Sequence, residues 1–112
     1  MTTSFLLIII TLLVLHFIGD FLFQSDWMAI NKSKEIDVLF YHCLVYSIFF
    51  LGFGIKFWFL TLLTHFITDF FTSKLNAYLF TRSRHWFFVA IGFDQLIHYI
   101  TLLLLLKCKY GI

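Results

Sequence analysis

The heptapeptide Leu15-His16-Phe17-Ile18-Gly19-Asp20-Phe21 returns 49 residues later as Thr64-His65-Phe66-Ile67-Thr68-Asp69-Phe70, with five of seven positions unchanged. Each copy sets an imidazole and a carboxylate four residues apart inside a long apolar run. On a helix, positions i and i+4 share a face, so each copy presents its pair side by side. Asp94 and His98 have the same spacing in reverse order, and His42 stands alone in the remaining apolar segment.

The apolar runs around these groups set the fold class. Four segments, about 4–24, 38–55, 57–80 and 86–106, approach the ~20 residues a helix needs to cross a hydrocarbon core. The runs are continuous rather than alternating, and four strands cannot close a barrel. The chain of 112 residues has no proline, 62% hydrophobic residues and 12% charged residues, against ~25% charged in soluble domains. So small a soluble domain cannot hide this much Leu, Ile and Phe, so lipid must cover it. The expectation is all-α: one transmembrane domain, 1–112, folded as a four-helix bundle. The repeat copies lie two crossings apart, so the bundle is read as two parallel-related helical hairpins. A 52-residue shift aligns the second helices more faintly, setting His42 on Asp94 and Tyr46 on His98.

An intramembrane aspartate is affordable here. Fifteen Leu, Ile, Val and Phe residues between Phe5 and Phe23 supply roughly −5 to −9 kcal/mol of insertion energy, against about +3 for Asp20. The carboxylate is still expensive and should face a partner rather than lipid.

The flanks say less. Residues 25–37 read as a polar loop with Trp27 at a membrane interface, and Gly52, Gly54 and Lys56 mark a very short connection. Five Lys and Arg residues in the two longer loops against three on the other side favour cytoplasmic loops and external termini. The first segment lacks a basic leader and is expected to be retained. A net charge of +2 located in the flanks gives no nucleic-acid signal. Cys43 and Cys108 have no CxxC spacing and read as small hydrophobes. His85, beside Arg84 and Trp86, reads as interfacial.

Four of five histidines and three of six acidic residues fall in the apolar segments. Imidazole and carboxylate suit zinc, iron or manganese, and i, i+4 pairs deliver two ligands from one face, as in HExxH. The expected ligands are His16, Asp20, His42, His65, Asp69, Asp94 and His98, with Asp20, Asp69 and Asp94 also as catalytic carboxylates. Three aspartates, two divalent ions and a bridging hydroxide reach neutrality, whereas one ion leaves a negative charge in low dielectric. That favours two ions, with one ion plus supporting aspartates as the alternative. Gln24, Gln95 and Lys32 are candidates for supporting or substrate contacts, and a solvated loop role is the simpler account of Lys32. Helix-register packing and a proton relay are the competing explanations of the same groups.

The ordered set Asp20-Phe-x-x-Gln24, Asp26-Trp27-Met28, Asn31-Lys32, His42, His65-x-x-x-Asp69 and Asp94-Gln95-x-x-His98 resembles the membrane family of unknown function DUF3307, found in bacteria and their phages. The resemblance covers nearly the whole chain and implies a multi-pass protein of the bacterial inner membrane. The pattern is also distantly similar to membrane proteins labelled metal-dependent hydrolases. A lysine commonly follows the family's third-helix aspartate by three positions; here Thr72 stands there, with Lys74 two further on.

The leading functional expectation is therefore a membrane-embedded metal-dependent hydrolase acting on a lipid-linked or phosphoester substrate, with membrane lipid and an amphiphilic substrate as partners. A metal-ion or proton transporter and a structural membrane protein are the alternatives. Homo-oligomerisation is left open.

Overall fold

The computed structural model describes residues 2–111, which are helical throughout apart from short connections; among them there is no strand. The elements are α1 (Thr3–Phe17), continued by one π-helical turn (Ile18–Leu22), then α2 (Asp26–Asn31) and α3 (Ile36–Ile48). A short 3-10 turn (Leu51–Phe53) leads to α4 (Ile55–Phe80) and α5 (Arg84–Tyr110). The all-α expectation holds.

Local chemistry sets the boundaries. Hydroxyls of Thr2, Ser25 and Ser83 accept backbone N–H bonds from Phe5, Met28 and Trp86 and so cap α1, α2 and α5. The second apolar segment, expected as helix over 38–55, ends as α-helix at Ile48. The chain then reverses through Leu51–Phe53 to Gly54, whose φ of 106° few other residues adopt. At its other end α5 runs past 106 to Tyr110, with Lys107 and Lys109 in its last turn, where cations complement the helix dipole. Gly111 (φ 69°) stops it. Within the expected first loop, α2 forms because Ser25 caps it and Asp26 sits in its first turn.

The π turn is the main irregularity. It places Gly19 against α3, where an added Cβ would lie 2.9 Å from the Tyr46 ring and 3.1 Å from its carbonyl oxygen. Only a glycine permits this approach. Around it, α5 packs along α4, α3 packs along α4, and α1 contacts α5 directly and α3 through the π turn.

The interior is layered by polarity. At one end Leu12, Tyr46, Phe50, Phe57, Leu102 and Leu106 form an apolar cluster, and Leu39, Cys43 and Leu62 form a second. Between and beyond them His16, Asp20, His42, Ser47, Thr61, His65, Asp69, Thr72, Ser73, Asp94 and His98 are buried. The outer surface is the reverse, with large apolar side chains such as Leu7, Phe17, Leu22, Ile55, Phe71 and Phe88 exposed on every long helix. Two helical stretches, Thr3–Leu22 and Arg84–Tyr110, are long and apolar enough to cross a membrane, at mean hydropathy 2.5 and 1.8. With 13 residues, α3 is only ~20 Å long, short of a hydrocarbon core.

Candidate metal centre

The second heptapeptide copy lies in regular α-helix, so His65 and Asp69 stand on one face, with His65 Nε2 3.4 Å from Asp69 Oδ2. From α3, His42 Nε2 reaches to 3.2 Å from His65 Nε2 and 3.3 Å from Asp69 Oδ2. Asp20, on the π turn, brings Oδ1 to 3.1 Å from His42 Nε2 and 3.5 Å from His65 Nε2. Four atoms from three long elements thus form a compact group, every member of it at most 3% exposed.

The spacing of that group is informative. Zinc bonds of 2.0–2.1 Å in a tetrahedron require ligand–ligand edges of about 3.3–3.4 Å. Five of the six edges run from 3.1 to 3.5 Å, and all four ligand atoms lie within 4.8 Å of one another. Histidine and carboxylate are also the donor types that zinc takes. These residues therefore fit a tetrahedral divalent ion.

A second group adjoins the first through a shared carboxylate. Asp20, Asp94 and His98 also offer mutually close ligand atoms. His98 Nε2 lies 3.2 Å from Asp94 Oδ1 and 2.9 Å from Asp69 Oδ1, so the two Asp69 oxygens face different histidines. Thr72, one turn after Thr68 on α4, donates its hydroxyl to Asp94 Oδ1 at 2.5 Å. His65 is stacked between Tyr46 and His98, with ring centroids 3.7 and 4.1 Å away.

His16 belongs to neither group. Its Nε2 is 3.8 Å from Asp20 Oδ2 but only 2.7 Å from Gln95 Oε1, and its Nδ1 is 2.7 Å from the Tyr46 hydroxyl. Gln95 Nε2 in turn donates to Asp20 Oδ2 at 3.2 Å and Asp94 Oδ2 at 3.1 Å.

Lys32, expected first as a solvated loop residue, is folded into the centre. Just beyond α2, its ammonium lies 3.0 Å from Asp69 Oδ2, with its side chain 14% exposed. Burial pulls its pKa down, but the carboxylates of Asp69 and, behind it, Asp20 outweigh that and hold it above the ordinary lysine value.

A cleft of about 620 Å³ opens onto this centre, within the usual range of ligand sites. Asp20, Asp94, Gln95 and Lys32 line it at the polar side, and Phe21, Ile30, Phe80, Phe87 and Ile91 supply an apolar wall. Gln24, Ser73 and Asn76 also line it, and each carries a buried oxygen without a hydrogen-bond partner. On the opposite side a void of about 10 Å³, lined by Thr61, Thr64, His65 and Thr101 among others, has room for roughly one water. His65 Nδ1 and Thr61 Oγ1, both on that void, are unpartnered.

The sequence reading did not single out Tyr46, Thr72, Ser73 or Asn76 as site residues. Tyr46 had left a trace through its faint alignment with His98, and Thr72 as the residue standing where a lysine was expected. His85 is exposed and lies edge-on against Trp86, away from the centre. Cys43 is buried and Cys108 exposed, both as free thiols.

The model of the family described as "Protein of unknown function (DUF3307)" matches residues 8–111. No curated protein and no solved structure matches the chain.

Proposed function

We propose a function from one premise: the chain belongs to the DUF3307 family, whose description carries no activity, so the reading must come from the site. The protein is a membrane-embedded metal-binding protein, and its chemistry is that of a metal-dependent hydrolase acting on a lipid-linked phosphoester. The observation that carries the reading is the group of Asp20, His42, His65 and Asp69 atoms, five of whose six edges are 3.1–3.5 Å, the size of a tetrahedral zinc site.

Membrane residence is supported by the apolar exterior, by two helices of spanning length and by a 45 Å long axis, which matches a bilayer with its headgroups at ~40–45 Å. The four long helices then act as one multi-pass bundle in the inner membrane, with the shortfall of α3 made up by the turns at its ends. Lipid covers the apolar surface, and an amphiphile enters the cleft with its chain along Phe80, Phe87 and Ile91.

Charge decides the ion count. Lys32 adds a positive charge beside Asp69, so three aspartates, this lysine and one divalent ion reach neutrality. One ion in the four-atom group is therefore the resting complement, and the position between Asp94 and His98 is auxiliary. Four protein ligands fill a tetrahedron, whereas catalytic zinc keeps a position open. Asp20 and Asp69 would be ligands to such an ion, and each also has a partner in the chain: Gln95 for the first, Lys32 and His98 for the second.

A divalent ion held there supplies a Lewis acid and lowers the pKa of water toward neutrality. The chain's own groups do the rest. Asp94, held by Thr72 and Gln95 at the cleft, accepts the proton of the attacking water. Lys32 steadies the anionic phosphoryl oxygens, and the apolar wall excludes bulk water.

The filled tetrahedron favours one further reading, a closed metal site without catalysis. Transport lacks a polar path, because the far end is sealed by Leu12, Phe50, Phe57, Leu102 and Leu106. Elemental mass spectrometry on detergent-purified protein tests the core claim: about one equivalent of metal in the wild type, lost in Asp69→Asn. Metal-free wild type would refute it. Release of phosphate from a lipid phosphomonoester by the loaded protein separates hydrolase from closed site.

A further inference from the structure

We infer that Gln95 is a positioning residue for the metal centre, held in place by a hydrogen-bond chain from Tyr46 through His16. The inference rests on the metal-binding reading above and revises the sequence expectation that His16 is a ligand.

The polarity of the chain follows from its inner end. Gln95 presents one amide atom to both Asp20 Oδ2 (3.2 Å) and Asp94 Oδ2 (3.1 Å). An oxygen there would meet two carboxylate acceptors with no proton between them, so that atom must be the nitrogen, whose two N–H groups serve one carboxylate each. Gln95 Oε1 therefore points at His16 and accepts from its Nε2–H at 2.7 Å. The remaining ring nitrogen, Nδ1, pairs with the Tyr46 hydroxyl at 2.7 Å. Both nitrogens of His16 are thus engaged, whether the ring is neutral or charged, and no lone pair is left for a metal ion. His16 and Tyr46 are 0% and 1% exposed, so water does not compete for either bond.

What the chain accomplishes is orientation. Asp20 and Asp94 face each other across Gln95, and without a donor between them they would repel and rotate apart. The amide clamp fixes both while leaving Asp20 Oδ1 aimed at His42 and His65. Outer partners of this kind set ligand geometry, and their loss commonly costs 10–100-fold in metal affinity.

The test compares wild type with Gln95→Leu, His16→Leu, the double variant and Tyr46→Phe, all in detergent, reading zinc content and zinc Kd by chelator competition. Expected are unchanged content at saturation and a Kd raised about 10–100-fold in Gln95→Leu and His16→Leu. The double variant should be no weaker than Gln95→Leu alone, because His16 acts through Gln95. Tyr46→Phe, which removes a single oxygen, should shift Kd in the same direction by less and keeps the test available if the leucine variants do not fold. Loss of an ion in His16→Leu would make His16 a ligand and overturn the inference. An unchanged Kd in Gln95→Leu, or additive losses in the double variant, would overturn it as well. Zinc-free wild type would instead sink the metal reading and take this inference with it.

Discussion

The two heptapeptide copies share five residues and end in different roles. In the second copy His65 stands on regular α-helix and turns its Nε2 into the four-atom group, 3.4 Å from Asp69. In the first copy the π turn begins at Ile18, between His16 and Asp20, and the imidazole is left 3.8 Å away, tied to Tyr46 and Gln95. The aspartates behave alike, since both lie inside the cluster and both face more than one partner. Identical spacing therefore fixes the carboxylate and leaves the imidazole free to differ. The extra residue of a π turn decides which way it goes.

The sharpest way to break this contrast is to remove each histidine in turn. His65→Ala should lose the bound ion, with zinc affinity down by more than ~100-fold, while His16→Ala keeps it at saturation; equal losses in titration calorimetry would erase the distinction. The next effect concerns Lys32, which neutralises the second copy's aspartate and has no counterpart at the first among the described residues. Lys32→Met should destabilise the metal-free protein by about 1–3 kcal/mol, allowing for partial exposure. Zinc-loaded protein should lose less, as judged by thermal unfolding in detergent. Because the lysine's folded pKa lies above its ordinary value, its contribution is complete below about pH 10 and disappears as pH climbs through the raised value. A wild-type stability that fell between roughly pH 7 and 9 through this pair, and not in Lys32→Met, would contradict the ion pair.

Smaller effects belong to the backbone. Gly19→Ala should cost about 1–3 kcal/mol through overpacking against Tyr46. At the matching place in the second copy, Thr68→Ala should stay within ~0.5 kcal/mol. Comparable melting shifts for the two would mean that the close approach of α1 to α3 is not what the glycine serves.

Much of the helical layout was legible because hydrophobic runs and the His–Asp spacing are local signals. The spacing rule presumes a regular helix: it sets His65 3.4 Å from Asp69 and His98 3.2 Å from Asp94, and where the π turn intervenes it leaves His16 3.8 Å from Asp20. The π turn depends on Gly19 meeting Tyr46 across 27 residues of sequence, which no local pattern encodes. Lys32 was a candidate for supporting or substrate contacts without a stated partner, because as part of a loop it had no fixed direction; α2 carries it back to Asp69. Thr72 was noted only as the place where a lysine was missing, and its hydroxyl turned out to hold Asp94. The charge balance that favours two ions changes once Lys32, beside Asp69, is counted.

The apolar cluster of Leu12, Tyr46, Phe50, Phe57, Leu102 and Leu106 closes one end of the polar interior, while the 620 Å³ cleft opens the other. A molecule built this way is a cul-de-sac: whatever enters must back out through the same mouth. On the hydrolase reading proposed above, spent product and fresh substrate would queue at one doorway, so product should compete directly with substrate. In sealed vesicles only chains whose mouth faces the supplied compartment should turn over.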